Sequence, residues 1–446
     1  MIPVITPAQM AAIDSEAMDP PEVLIDRAAR AVAREAIRML GGVYGRRVAV
    51  VVGPGNNGAD GRLAAGHLQR RGVRVQVFEV AETPHLIDSV DLVIDAAFGT
   101  GLSRPYSFPG VEPGVAVLAV DIPSGVDGLT GELLGAPVIV DRTITFAAMK
   151  PGLLLEPGRS HCGDVVVADI GLDVSRASVF VVGHADLAEW VRARPADDHK
   201  WRTAVRVIGA SLGMEGAGYL AAAAAQRVGA GLVQLASPGG AASAGPVEVV
   251  SQSLPITGWG AEAVGNIDRL QAVLLGPGLG RDDLASVQDV LAIHLALVID
   301  GDALVPELMT GLSARPSPTV LTPHDGEWRR LGGDPSPDRI AATVDMARST
   351  GAVVVRKGPT TVVASPSGRA RIVSAGTPAL ATAGTGDVLA GLVVGLLAQG
   401  IDAFDAATAA AQIHAEAAAL VPAGLVAHDL LDRLPHVLAQ IGETQS

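Results

Sequence analysis

The sequence predicts two successive α/β domains, each a parallel sheet covered by helices. Two observations carry this. Strand-like apolar runs alternate with helical stretches and end repeatedly in glycine loops. The alternation breaks once, over the polar stretch HADLAEWVRARPADDHK (184–200) with its Pro195, and then restarts. That stretch reads as a linker, giving domains of 1–190 and 196–446, which share no obvious repeat.

In the first domain, EVLIDRAARAVAREAIRML (22–40) has helical periodicity and stops at Gly41-Gly42, a plausible C-cap. Strand-like runs follow at 48–52, 73–78, 91–95, 115–120, 143–147 and 164–168, and a helix over 62–71 joins the first two. In the second domain, strands are expected at 205–208, 232–236, 271–275, 297–300, 318–321 and 352–356. A helix is expected at 215–229, and long helices at about 386–398 and 403–420. The apolar run VLAGLVVGLLA (388–398) is too short to span a bilayer and reads as a buried helix.

Composition narrows the function. The 446 residues carry a net charge of −14, which disfavours nucleic acid as a partner. Cys162 is the sole cysteine, so no intrachain disulfide can form, and a cytoplasmic location is expected. His161 beside it lacks the spacing of a metal site. The N-terminus has no basic stretch followed by an apolar core, so no signal peptide is expected, and no membrane partner.

The loop GPGNNGADG (53–61) fits G-x-G-x-x-G, with Glu79 where a ribose-binding acid would sit. It could be a bare turn or a dinucleotide-binding redox site. Asp60 weighs against the latter, because a pyrophosphate cradle wants positive potential at the helix N-terminus. Two Asn amides and a carboxylate suit a polar organic ligand or a hard cation better. Asp95 and Asp121 each end a strand. In a parallel sheet, this gathers Asn57, Asp60, Asp95, Asp121 and Ser124 along one edge, although single strand-end Asp residues also cap turns.

These motifs, GPGNNGADG, DAAFGTGLSRP (95–105), AVDIPSG (119–125), KPGLLLEPGR (150–159) and DVVVADIG (164–171), resemble the NAD(P)H-hydrate epimerase domain over roughly residues 5–175. The resemblance implies interconversion of the R and S hydrates of NADH and NADPH. It implies substrate contacts from Asn56, Asn57, Gly58, Ala59 and Asp60. Further contacts would come from Gly99, Thr100, Gly101, Leu102, Ser103, Arg104, Pro105 and Asp121. It also implies a potassium ion on Asn57, Asp95 and Ser124. Asp121 is then the candidate acid/base. The segments 80–92 and 106–115 are shorter than is usual in this family, so a peripheral helix is expected to be missing.

In the second domain, ATAGTGDVLAGLVVGLLAQG (381–400) opens a helix on Gly384-Thr385-Gly386-Asp387. Small residues let backbone N–H groups converge on a transferring phosphoryl group. A first-turn carboxylate could take the proton of an attacking hydroxyl, or could simply cap the helix. RKGPTTVV (356–363) could cradle nucleotide phosphates or be a plain hairpin. No P-loop motif is present.

This half resembles the ADP/ATP-dependent NAD(P)H-hydrate dehydratase, a ribokinase-like family, from about 196 to 432. The likeness rests on HK (199–200), the 209–233 loop and helix, GPGLGRD (276–282), VIDGDAL (298–304), TPHDGE (322–327), RKG and AGTGDVLAG (383–391). It implies hydrate contacts from Ala217, Gly278, His324 and Asp387, with Asp387 as base. It implies nucleotide contacts from Lys357, Gly358, Pro359, Thr360, Thr361, Gly384, Thr385 and Gly386, with ADP or ATP as phosphoryl donor and Mg²⁺ on its phosphates. The fold expected is therefore a Rossmann-like parallel sheet followed by a ribokinase-like α/β domain. The chain is expected to be a bifunctional repair enzyme acting on small molecules as a homo-oligomer. A ribokinase-like small-molecule kinase, a chain active only in its C-terminal half, and a non-enzymatic nucleotide sensor are the rivals.

Overall fold

A computed structural model describes residues 1–240 and 245–444. The chain divides into two compact units, Ile2–Val179 and, with Met1, the chain from Phe180 onward. Within the stretch read as a linker, His184–Trp190 is a helix. Its Leu187 is fully buried in the core of the second unit.

The first unit is built on six parallel strands in the spatial order Asp164–Ala168, Arg142–Phe146, Ala116–Val120, Leu92–Ala96, Arg47–Val52, Arg74–Glu79. The central run RVAVVV is buried from its second residue on, as a strand covered on both faces must be. Helices Pro21–Leu40 and Asn56–Arg70 pack together over one face. The other face is covered by the 80–115 segment through Ile87 and Phe108, with Tyr106 half-buried beside them. That segment holds only a single turn, Val80–Glu82, and two-residue strands. No helix crosses from Leu92–Ala96 to Ala116–Val120. The strand order reverses between Arg47–Val52 and Leu92–Ala96, and a crevice opens at such a reversal beyond the carboxyl ends of the strands.

The helix after the first strand begins at Asn56, six residues before the expected start at 62. Asn56, Asn57, Gly58, Ala59 and Asp60 therefore form its first turns and are not a loop. The glycines that argue against a helix by propensity are there for close approach. A methyl at Gly58 would overlap the Gly53 carbonyl, and one at Gly61 would collide with Ala96.

The second unit carries seven parallel strands ordered Val353–Arg356, Thr319–Leu321, Ala296–Ile299, Ala272–Leu275, Ala204–Ile208, Leu232–Pro238, Val250–Leu254. Thr361–Ala364 and Ala370–Val373 extend it antiparallel beyond Val353–Arg356. Here the order reverses between Ala204–Ile208 and Ala272–Leu275. Thr385–Leu397 is apolar nearly all round and almost wholly buried. It packs against helices Glu215–Arg227 and Ala403–Ala419 and over strands of the sheet. Among the described residues, no helix is long and apolar enough to cross a membrane.

The contact between Thr385–Leu397 and Glu215–Arg227 depends on Gly391, where a methyl would overlap the Ala221 carbonyl. Gly391→Val is expected to cost about 1–3 kcal/mol, since an overpacked interior relaxes at the expense of backbone shifts. The denaturant midpoint of the second unit would fall, with no residue of the site below altered.

Candidate active sites at the two strand reversals

At the reversal in the first unit lies a cleft of ≈ 600 Å³, lined by Asn56, Asn57, Asp60, Gly99 to Arg104 and Asp121. Gly58, buried within the helix, and Ala59, Asp95, Pro105 and Ser124 are not part of that lining. Asn57 and Asp121 flank Gly99: a Cβ there would lie 3.2 Å from Asp121 Oδ2 and 3.6 Å from Asn57 Cβ.

Two residues of this cleft were not legible as site residues. Lys150 is 2 % exposed, and its Nζ lies 2.8 Å from Asp121 Oδ1. Asp14, on helix Pro7–Ser15, faces the same space. Lys150 opens the KPG motif that carries the family likeness, which was its only sequence signal.

Burial pushes Asp60 up to about 8, with Asp121 and Asp14 adding to the rise. Its Oδ1 is buried without a partner. Asp95 is fully buried. It accepts hydrogen bonds from Ser124 Oγ, from Ser124 N at 2.7 Å and from Ala97 N at 3.2 Å, yet burial still lifts it to about 6. Both amide atoms of Asn57 are buried and unpartnered. A desolvated carboxylate, a hydroxyl and an orphaned amide carbonyl are oxygen donors suited to a hard monovalent cation, so the residues present fit one.

The raised Asp60 has a consequence for stability. An unfolded Asp ionises near 3.8, and the folded one near 8. Between these values the folded state holds the extra proton, so stability falls as pH rises through that window. Asp60→Asn removes this dependence. Its melting temperature relative to the native chain should therefore climb steadily from pH 4 to pH 8, as calorimetry of the first unit's transition would show.

At the second reversal, the loops after Ala204–Ile208 and Ala272–Leu275 are stitched by Ala210 N to Pro277 O and Ser211 N to Gly278 O, each 2.8 Å. Gly278 has φ +57°, and a Cβ on it would lie 3.1 Å from Ala217 Cβ. The fold thus brings Gly278 and Ala217 together.

The helix head lies along the same edge. Gly384 takes the left-handed φ of +91°, where a methyl would press on Leu220 and Ala427. Asp387 sits in the first turn, and burial with the neighbouring Asp300 raises it to about 7, against the pull of Lys357. Lys357 Nζ lies 2.9 Å from Asp300 Oδ1 and 3.6 Å from Glu327 Oε2, and a Cβ on Gly386 would stand 3.3 Å from it. Thr322 Oγ1 donates to the same Asp300 oxygen at 2.6 Å. Asp300 and Glu327 lie inside VIDGDAL and TPHDGE, but only the fold reveals that they hold the lysine.

Three residues expected to meet ligands have structural duties. His324 caps helix Asp325–Arg330: its Nδ1 accepts from Gly326 N at 2.9 Å, which leaves only Nε2 for a ligand. Thr385 Oγ1 is turned back onto its own loop, shared between Leu380 O at 2.8 Å and Thr382 O at 2.9 Å. Gly358 abuts Arg339, whose guanidinium donates to Lys357 O at 2.7 Å. Gly358, Pro359 and Thr361 also border a small cavity of ≈ 40 Å³, shared with Thr377 and His414. Burial holds His414 neutral, down at about 4.

A first-turn carboxylate at the head of a glycine-led helix, beside a strand-end lysine, is the arrangement of a ribokinase-like unit, which follows the doubly wound one in sequence. Comparison agrees. Residues 205–438 match the NAD(P)H-hydrate dehydratase family, and residues 21–90 and 80–152 match the YjeF-related protein N-terminus. The bifunctional NAD(P)H-hydrate repair enzyme of Moorella thermoacetica is 34% identical, over 98% of this chain and 97% of that one. That of Mycobacterium tuberculosis is 38% identical over 87% of each. The ADP/ATP-dependent NAD(P)H-hydrate dehydratase of Bacillus subtilis, crystallised with ATP and Mg²⁺, superposes with a TM-score of 0.51 at 29% identity, covering 58% of this chain and 98% of that one. The chain belongs to the bifunctional NAD(P)H-hydrate repair enzyme family.

Proposed function

We propose that the chain repairs hydrated nicotinamide dinucleotides in two steps, epimerising the R and S hydrates in the first unit and dehydrating the S hydrate in the second. The observation that carries the dehydratase reading is Asp387, a half-buried carboxylate raised to about 7 in the first turn of the Gly384-led helix. Such a group is half ionised near neutrality, as a general base should be. It takes the proton from the hydrate's ring hydroxyl while that oxygen attacks the terminal phosphoryl group of ADP or ATP. The backbone N–H groups from Gly384 to Asp387 and the Lys357 ammonium meet the charge on the transferring group. The phosphorylated carbon then loses phosphate as its C–O bond breaks, and a proton leaves the neighbouring carbon. This restores the dihydropyridine double bond. Ala217, Gly278 and His324 Nε2 would hold the hydrate, and Lys357 to Thr361 would hold the nucleotide.

Mg²⁺ supplies phosphate charge neutralisation when bound. Among the described residues, no group of three or more His, Cys, Asp or Glu could hold a metal ion, so it would enter on the nucleotide.

In the first unit, Asp121 shuttles the proton that reversible loss of hydroxide, or ring opening, requires at the carbon bearing both hydroxyl and ring nitrogen. Asn56, Asp60 and the 99–105 loop contact the dinucleotide. Asn57, Asp95 and Ser124 would hold a potassium ion, which orders the loop ends when bound. The Cys162 thiol, buried and pushed up to about 12, is unreactive and compatible with the cytoplasm.

The test is recovery of near-ultraviolet absorbance from mixed R and S NADH hydrates with Mg²⁺, K⁺ and either ADP or ATP. Full recovery is expected, and the faster nucleotide names the donor. Recovery that stops when the S fraction is consumed would leave only the dehydratase. A stable phosphorylated product without recovered absorbance would instead identify a ribokinase-like kinase.

A further inference from the structure

We propose that Lys150 is a positioning residue of the epimerase site, holding Asp121 turned toward the ligand while taking no part in substrate contact itself. This rests on the epimerase reading of the first unit.

The ammonium of Lys150 has three donors, and all three are committed. They reach Asp121 Oδ1 at 2.8 Å, Thr145 Oγ1 at 2.7 Å and Phe146 O at 3.0 Å. Thr145 Oγ1 donates in turn to Asp121 Oδ1 at 3.1 Å. One carboxylate oxygen is thus pinned from behind by two donors. The other, Oδ2, is the one that faces Gly99, at the start of the 99–105 ligand loop. The backbone agrees with this division. Asp121 has φ +69°, a left-handed conformation uncommon outside glycine that Asn and Asp adopt most readily among the rest, and its N–H is fixed to Ile144 O at 2.7 Å. A conformation of that kind persists only where its surroundings over-determine it. Here the strand Arg142–Phe146 and Lys150 just beyond it do so.

The charges around Asp121 come from four elements. Lys150 follows the strand Arg142–Phe146, Asp14 is on the helix Pro7–Ser15, Asp60 is on the helix Asn56–Arg70, and Arg104 lines the cleft from the ligand loop. Asp14, Asp60 and Asp121 therefore line one cleft, with Asp60 buried and Asp14 exposed, and among the described residues Lys150 is the one cation ion-paired with any of them. Asp60 carries the proton at neutral pH because burial, Asp121 and Asp14 all favour its neutral form. With Lys150 gone, Asp121 would lose the ion pair that fixes its Oδ1 and would be free to turn away from the ligand loop.

The full chain provides the test, because R-to-S conversion can be followed by chromatography with no nucleotide present. Lys150→Met should lower kcat for epimerisation at neutral pH by about tenfold or more and leave KM little changed. The acid limb of its pH–rate profile should be displaced from the native one, because the cation paired with the base is gone. Lys150→Arg should keep the limb near its native position. Hydrogen exchange along Arg142–Phe146 reports whether the unit stays folded. If Lys150→Met loses that protection, Lys150→Arg carries the test alone, and a limb moved by a unit or more in that variant overturns the proposal. A Lys150→Met profile superimposed on the native one also overturns it, with the epimerase reading intact. A native chain that epimerises neither hydrate removes both.

Discussion

Asp387→Asn is expected to lose about 10²- to 10⁴-fold in the rate of NADH recovery from pure S hydrate, the usual range for a positioned general base. The amide keeps the size and the helix-head position but cannot accept the hydroxyl proton. Binding of the hydrate should persist, so the loss would fall on kcat. The pH dependence of the native enzyme is the companion measurement. Asp387 is active ionised and titrates at about 7. Below that value the rate should fall tenfold per pH unit, and above it the rate should level off. A rate flat from acid to neutral pH would assign the base elsewhere. Asp300 and Glu327 offer a check on the cause. Both hold the Lys357 ammonium, and both raise Asp387. Asp300→Asn would thus lower the apparent titration point while loosening Lys357, so the acid limb would move down as the plateau drops.

Most strands of both sheets were legible because runs such as RVAVVV and AVLL are apolar without interruption, the mark of a strand covered on both faces, whereas the polar Val250–Leu254 was not. What failed was local. The helix at Asn56 was expected to start six residues later, because two asparagines and two glycines have poor helix propensity. Contact with Gly53 and Ala96 decides the matter instead, and such contacts are long-range. His184–Trp190 was hidden for a similar reason: a polar, Pro-flanked stretch carries one buried Leu187 that only the packed core reveals. The positions of the site residues could be read from motif order, since loops at carboxyl strand ends must share an edge. Their protonation could not. Asp60, Asp95 and Asp387 each owe their raised values first to burial, and burial is a property of the fold. The ion pairs of Lys150 and Lys357 were not legible either, because their carboxylate partners lie from 29 to 57 residues away in sequence.

Asp121→Asn should uncouple the two halves of the chain. The substitution preserves the side chain's size and its hydrogen bond from Thr145, but it removes the charge that Lys150 neutralises and the base that the cleft depends on. A buried ammonium stripped of its partner is costly, so some loss of stability in the first unit is also expected. Epimerisation should fall by about 10²- to 10⁴-fold, as for the loss of any positioned acid/base. Dehydration of pure S hydrate should be unchanged, because the second unit has its own sheet and core. With mixed hydrates, absorbance would therefore rise at the native rate and stop when the S fraction is gone. Added native first-unit activity would restart it. If Asp121→Asn still carried mixed hydrates to completion at the native rate, Asp121 would not be the acid/base. The proton transfer would then pass to Asp60, whose carboxyl is protonated at neutral pH and has an unpartnered oxygen.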